Sequence, residues 1–338
     1  LIGLVLFGIG SILFVPAANS LQYVYFLCAL FIIACGLTFL ETAANPYVTV
    51  LGPPETATKR LNFAQSFNGL AAFIAPTFVG PMILSGKNYT EAEMASMSSV
   101  DLQAYLASEA ASVKMPYLVL GLIIFVVTIL VYFTRMPDVK EDDSEGAGES
   151  SFSSALKSMK LRWGIVAQFF YVGAQVCVGS FFIKMATTAA GIEEGAAAKY
   201  LGFFGLAFML GRFAGTFLMQ YIQPRKLLII YAMINIFLTI LAITGTGMVV
   251  VYTLIAIAFF MSIMFPTIFS MGIDGLGNNT KIGSSLIVMS IVGGALLPPV
   301  LGLISDATGS IQMGYLVPLV CFSVILLFAF NGHKANKA

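Results

Sequence analysis

Apolar residues run through this chain in long blocks, and polar residues gather in short gaps between them. Blocks long enough to cross a hydrocarbon layer as helix, about 20 residues, cover 1–15, 21–50, 62–85, 115–135, 162–188, 197–222, 226–245, 249–272, 283–305 and 313–331. The pattern predicts an all-α membrane protein of about ten spans. The first block is short: Pro16 and Asn19 close it, and the chain opens on Leu1. It reads as a cut span in a remnant of a longer protein.

Charge in the gaps adds direction. Lys59 and Arg60 mark the gap at 51–61, and Arg135, Lys140, Lys157, Lys160 and Arg162 the gap at 135–162. Arg225 and Lys226 mark 223–226, Lys281 marks 273–282, and Lys334 and Lys337 the tail. The gaps between these are poor in bases, and the long one at 86–114 is mostly acidic. Strict alternation places the basic set and the C-terminus in the cytoplasm. The stretch 136–160 is polar and rich in Ser and Gly. It reads as a cytoplasmic linker between an N-terminal bundle remnant, 1–135, and a C-terminal six-helix bundle, 161–338.

Composition agrees with the bilayer. The 338 residues are 59% hydrophobic and 10% charged, against about half and a quarter in soluble domains. A net charge of +1 gives no basic face for a nucleic acid. The four cysteines, Cys28, Cys35, Cys177 and Cys321, show no paired spacing, so no disulfide framework or metal site is indicated. No span holds a histidine. Enzymatic acid–base and metal routes therefore lack their usual parts.

The two sides of the linker echo each other. Pro46, a polar loop with Lys, then Pro76 and Gly80 recur as Pro266, a polar loop with Lys, then Pro298 and Gly302. Weak repeats of this kind mark transporters built from two related halves. A first half matched to the second would have six spans, two more than precede the linker.

Charge inside a span is costly, about 2.5–3.5 kcal/mol on insertion scales, and so marks function. Glu41 stands within the second block, on a stripe with Thr38, Asn45 and Thr49 at helical spacing. Reduced solvation disfavours a charged carboxylate, which suits it to take a proton from one side and release it to the other. The alternative is a fixed hydrogen-bonded acid that ties helices together. Asn62, Gln65 and Asn68 recur every three residues in the next block. Their amides suit neutral hydroxylated ligands, or serve as interhelical glue. Tyr171 and Gln175 share a face further on, and Phe265 and Pro266 stand where a helix can break. Arg212, within "LGRFAG", either neutralises an acid, lines an exit or pins a carbonyl.

The stretches "FLETAANPYVTVLGP", "RLNFAQSFNGL", "AQFFYVGAQVCVGSFF", "GRFAGTFL", "SIMFPTIFSMGI" and "TKIGSSLIVMSIVGG" together resemble the fucose permease/glucose–galactose transporter group of the major facilitator superfamily. The resemblance covers nearly the whole chain. It implies two pseudo-symmetric six-helix halves, alternating access, and uptake of a hexose-type sugar with a proton in a bacterial inner membrane. On that numbering the chain holds spans 3–12. The resemblance implies proton coupling at Glu41 and sugar contact at Gln65 and Asn68. Asn45, Gln175, Tyr171 and Phe265 complete the expected substrate set. Arg212, Arg225 and Lys226 are the expected gating or structural charges. Fucose-type members have Gln-Tyr where this chain has Met264-Phe265, which moves the expected substrate from fucose towards glucose, galactose or an N-acetylhexosamine. No cofactor or metal is expected, and the protein is expected to act as a monomer. Sodium coupling and a drug or metabolite antiporter of the same fold are the competing readings.

Overall fold

The computed structural model describes residues 1–79, 89, 91–135, 137 and 151–331, and among them the backbone is helix joined by short turns, with no strand. Nine stretches among the described residues are long and apolar enough to cross a membrane. The remaining expected block, 62–85, is the helix Ala57–Ile74, which continues as a π-helical turn over Ala75–Val79. Its polar stripe lowers its hydropathy, and 80–85 lie outside the described residues.

Three local outcomes differ from the pattern. The first block does not end at Pro16: helix Ile2–Ile12 is followed by helix Phe14–Ser20. Pro16 falls in the first turn of that second helix, where no intrahelical N–H is needed. The acidic gap at 86–114 contains the helices Glu91–Ser96 and Ser99–Ser112. The second starts from Ser98, whose hydroxyl accepts from the Asp101 amide at 3.2 Å. The end of the linker, Phe152–Lys157, is a short helix with Ala155 buried.

Packing divides the chain into two compact units, Leu1–Ala44 with Ile74–Asp138, and Asn45–Phe73 with Val139–Ala338. In the first, helix Ile2–Ile12 lies along Lys114–Phe133 and close to helix Tyr23–Val50. A Cβ on Gly36 would stand 2.6 Å from the Phe7 amide nitrogen. Small residues allow this backbone approach, which carries helix association in lipid. Phe14 stacks on Tyr117 at 3.7 Å. Large exposed side chains such as Phe31, Phe39, Ile123 and Phe133 are at home against acyl chains.

In the second unit Met159–Ser180 packs on Gly293–Thr308 and Leu316–Asn331, and Glu194–Leu218 packs on Met248–Met261. The core holds Tyr171, Phe182, Leu254, Phe269 and Phe322. Met248–Met261 and Met264–Ile273 are separate helices. The break at Ser262–Ile263 follows from Pro266, which offers no N–H to the Ser262 carbonyl one turn earlier. Its counterpart Pro46 sits inside an unbroken helix, Tyr23–Val50. The repeat thus has different backbones at its two prolines.

Candidate functional site

Helix Ala57–Ile74 carries a hydrogen-bonded seam along one face. The Thr58 and Ser270 hydroxyls meet at 2.9 Å, and Asn62 donates to Thr267 Oγ1 at 3.1 Å. One turn further on, Arg212 from helix Glu194–Leu218 reaches the same face. Spacings of three and four keep these contacts on one side of the helix.

Arg212 is 2% exposed and hydrogen-bonded through its Nε and Nη1. Its Nε donates to the Ser262 carbonyl at 2.8 Å, the group Pro266 leaves without a helical partner. Its Nη1 donates to the Gln65 carbonyl at 2.5 Å, and to Gln65 Oε1 and Asn68 Oδ1 at 3.3 Å each. The guanidinium also sits 4.7 Å from the Phe208 ring centre, a cation–π contact. Two glycines give it room. Gly211 lets its helix approach Phe259 and Ser262, and a Cβ on Gly69 would stand 3.3 Å from Arg212 Cδ. Of the three roles open for Arg212 in the sequence, pinning a carbonyl is present in the structure.

The amides form a short chain. Gln65 Nε2 donates to Asn45 Oδ1 at 2.9 Å. Asn45 is buried, Gln65 half-buried and Asn68 exposed. Tyr171 is fully buried, with its ring edge-on to Phe265 at 6.2 Å. Its hydroxyl lies beside Arg212 and the Phe265 backbone. Phe265 stacks on Phe269, and Gln175 is half-buried on the face that carries Tyr171.

Glu41 belongs to the first unit and is half-buried on helix Tyr23–Val50. Its neighbours Thr38 and Thr42 turn their hydroxyls back onto their own helix, at 2.9 Å to the Ala34 carbonyl and 2.7 Å to the Thr38 carbonyl. Thr49 does the same towards Pro46 at 2.6 Å. Arg225 donates to the Ala329 and Phe330 carbonyls at 2.7 and 2.8 Å, closing the last turn of Leu316–Asn331. Lys226 is exposed. Among the described residues no cluster of His, Cys, Asp or Glu is built to hold a metal.

The sequence reading missed the Ser262 carbonyl, Thr267 and Gln168. The first was legible, since Pro266 announces a free carbonyl four residues earlier. Gln168 is fully buried with neither amide atom hydrogen-bonded. Its spacing of three and seven from Tyr171 and Gln175 was the available signal.

The family comparison agrees with this architecture. Residues 1–282 match the family described as the Major Facilitator Superfamily. The L-fucose-proton symporter of Escherichia coli K12 is 43% identical over 342 residues, 99% of this chain and 78% of that protein. The chain belongs to the major facilitator superfamily, in its fucose permease/glucose–galactose transporter group. A glucose/galactose transporter of Brucella abortus is 39% identical over 99% of this facilitator and 78% of its own length. The crystal structure of FucP in the outward conformation gives a TM-score of 0.89 at 42% identity, covering 99% of this chain and 82% of that one. This facilitator is thus a multi-pass membrane protein whose similar relatives are transporters.

Proposed function

We propose that this protein is a secondary active transporter that takes up a hexose-type sugar together with a proton by alternating access. The observation that carries the reading is the amide set Asn45, Gln65 and Asn68, in which Gln65 bonds Asn45 and the buried Arg212 guanidinium bonds Gln65 and Asn68. Amides with both donors and acceptors suit a neutral polyol. Names borne by similar proteins support the class: L-fucose-proton symporter and glucose/galactose transporter. Gln65, Asn68 and Asn45 contact the sugar, with Tyr171, Gln175 and Phe265 completing the site from the C-terminal half. Glucose, galactose or an N-acetylhexosamine is the favoured substrate over fucose, because Met264-Phe265 supplies no hydrogen-bonding side chain. Residues 1–135 and 161–338 act as the two alternating halves, joined by 136–160, in a monomer. The C-terminus lies in the cytoplasm of a bacterial inner membrane.

Glu41 is the coupling group, protonated from outside and deprotonated within. In proteoliposomes, Glu41→Gln is expected to abolish accumulation driven by a proton gradient while sparing sugar counterflow. Accumulation that persists undiminished would sink the role. Accumulation that follows a sodium gradient instead would replace the proton by sodium.

A further inference from the structure

Arginine carries five N–H donors and no acceptor. Any amide atom facing it must therefore be a carbonyl oxygen, which settles the orientation of two amides. Gln65 Oε1 and Asn68 Oδ1 both face Arg212 Nη1 at 3.3 Å. Half-buried Gln65 gives one of its two side-chain N–H groups to Asn45 Oδ1 at 2.9 Å. Asn68 is the exposed residue of the set, and its side-chain NH2, which Arg212 cannot use, is a donor. Arg212 itself is not free to turn away. Its Nε is committed to the Ser262 carbonyl at 2.8 Å, and the Phe208 ring covers the guanidinium at 4.7 Å. Gly69 adds no side chain that would push it aside.

We propose that Arg212 is a positioning residue that sets the hydrogen-bond polarity of the sugar site. By drawing the carbonyl oxygens of Gln65 and Asn68 to itself, it fixes the Asn68 amide so that its NH2 is presented as the donor to the oxygen of one sugar hydroxyl. The hydroxyl is read as an acceptor, and its own proton is not read by Asn68. This rests on the assignment of Asn68 as a sugar contact. It adds a stereochemical rule to that assignment: a group at that ring position must accept, and need not donate.

Sugar analogues test the rule without altering the protein. A fluorine in place of a hydroxyl still accepts, weakly, and cannot donate; a hydrogen does neither. Monodeoxy and monodeoxyfluoro analogues are competed against whichever of radiolabelled D-glucose, D-galactose or L-fucose the wild-type protein binds in proteoliposomes. At one ring position the fluoro analogue is expected to outcompete the deoxy analogue by about five-fold, the scale of one net hydrogen bond. Equal losses for the two analogues at every position would overturn the proposal. In Arg212→Gln the Asn68 amide is free to rotate, and the preference at that position is expected to collapse to near unity. This readout is a ratio within one protein, so a lower yield of folded variant does not move it. An unchanged ratio in Arg212→Gln would remove Arg212 from the role. Asn68→Ala separates the two layers. Weaker binding of the parent sugar upholds the contact, whereas unchanged binding overturns the contact and the polarity rule together.

Discussion

Replacing Gln168 by methionine is expected to stabilise the protein. Gln168 is fully buried, and neither its Nε2 nor its Oε1 has a hydrogen-bond partner. An unsatisfied buried polar group costs roughly 1–3 kcal/mol, and a hydrophobic replacement of the same shape removes that cost. Polar contacts inside bilayer proteins weigh less, about 0.6 and at most about 1.7 kcal/mol, because the unfolded chain in the membrane also finds partners. Two orphaned atoms on one side chain then give a gain of about 1–2 kcal/mol. Methionine matches glutamine in length and lacks its terminal fork, so little overpacking offsets the gain. For a chain of this size the shift is about 2 °C per kcal/mol, hence about 2–4 °C in the unfolding midpoint. Cys177 and Cys321 are free and buried, while Cys28 is exposed and Cys35 half-buried, so with Cys28 and Cys35 replaced by serine a thiol-reactive fluorophore in detergent reports unfolding as the buried pair becomes accessible. A midpoint that falls in Gln168→Met would refute the reasoning, because it would mean the amide is satisfied in the folded protein.

Further outcomes follow from the same contacts. Arg225→Ala uncaps the Ala329 and Phe330 carbonyls and is expected to lower stability by about 1–2 kcal/mol, read by the same thermal assay. Asn62→Ala and Thr267→Val, taken singly and together, are expected to show a coupling near 0.6 kcal/mol for their 3.1 Å bond, and additive effects would deny it. Pro266→Ala restores an N–H able to reach the Ser262 carbonyl, in competition with Arg212 Nε. Loosening of the guanidinium is expected to weaken sugar competition several-fold, while unchanged competition would show that the carbonyl anchor is dispensable.

Much of this protein was written along the chain. Each expected span corresponds to helix within the described residues, because a backbone in lipid must satisfy its own hydrogen bonds and only long apolar helices do so. The amide stripe of Asn62, Gln65 and Asn68 was equally plain, since helical spacing alone puts those residues on one face. Tertiary structure decided what that face meets. No local pattern brings Gln65 and Asn68 to Arg212, about 145 residues away along the chain. Proline at 266 announces a free carbonyl, but only packing of Gly211 against Phe259 and Ser262 delivers a guanidinium to it. Burial is the other property the sequence withholds. Tyr171 and Gln168 share a helix face with Gln175, yet the first two are fully buried and the third half-buried. Periodicity fixes a side chain's direction around its own helix, whereas its partners and its solvent depend on helices that arrive from elsewhere.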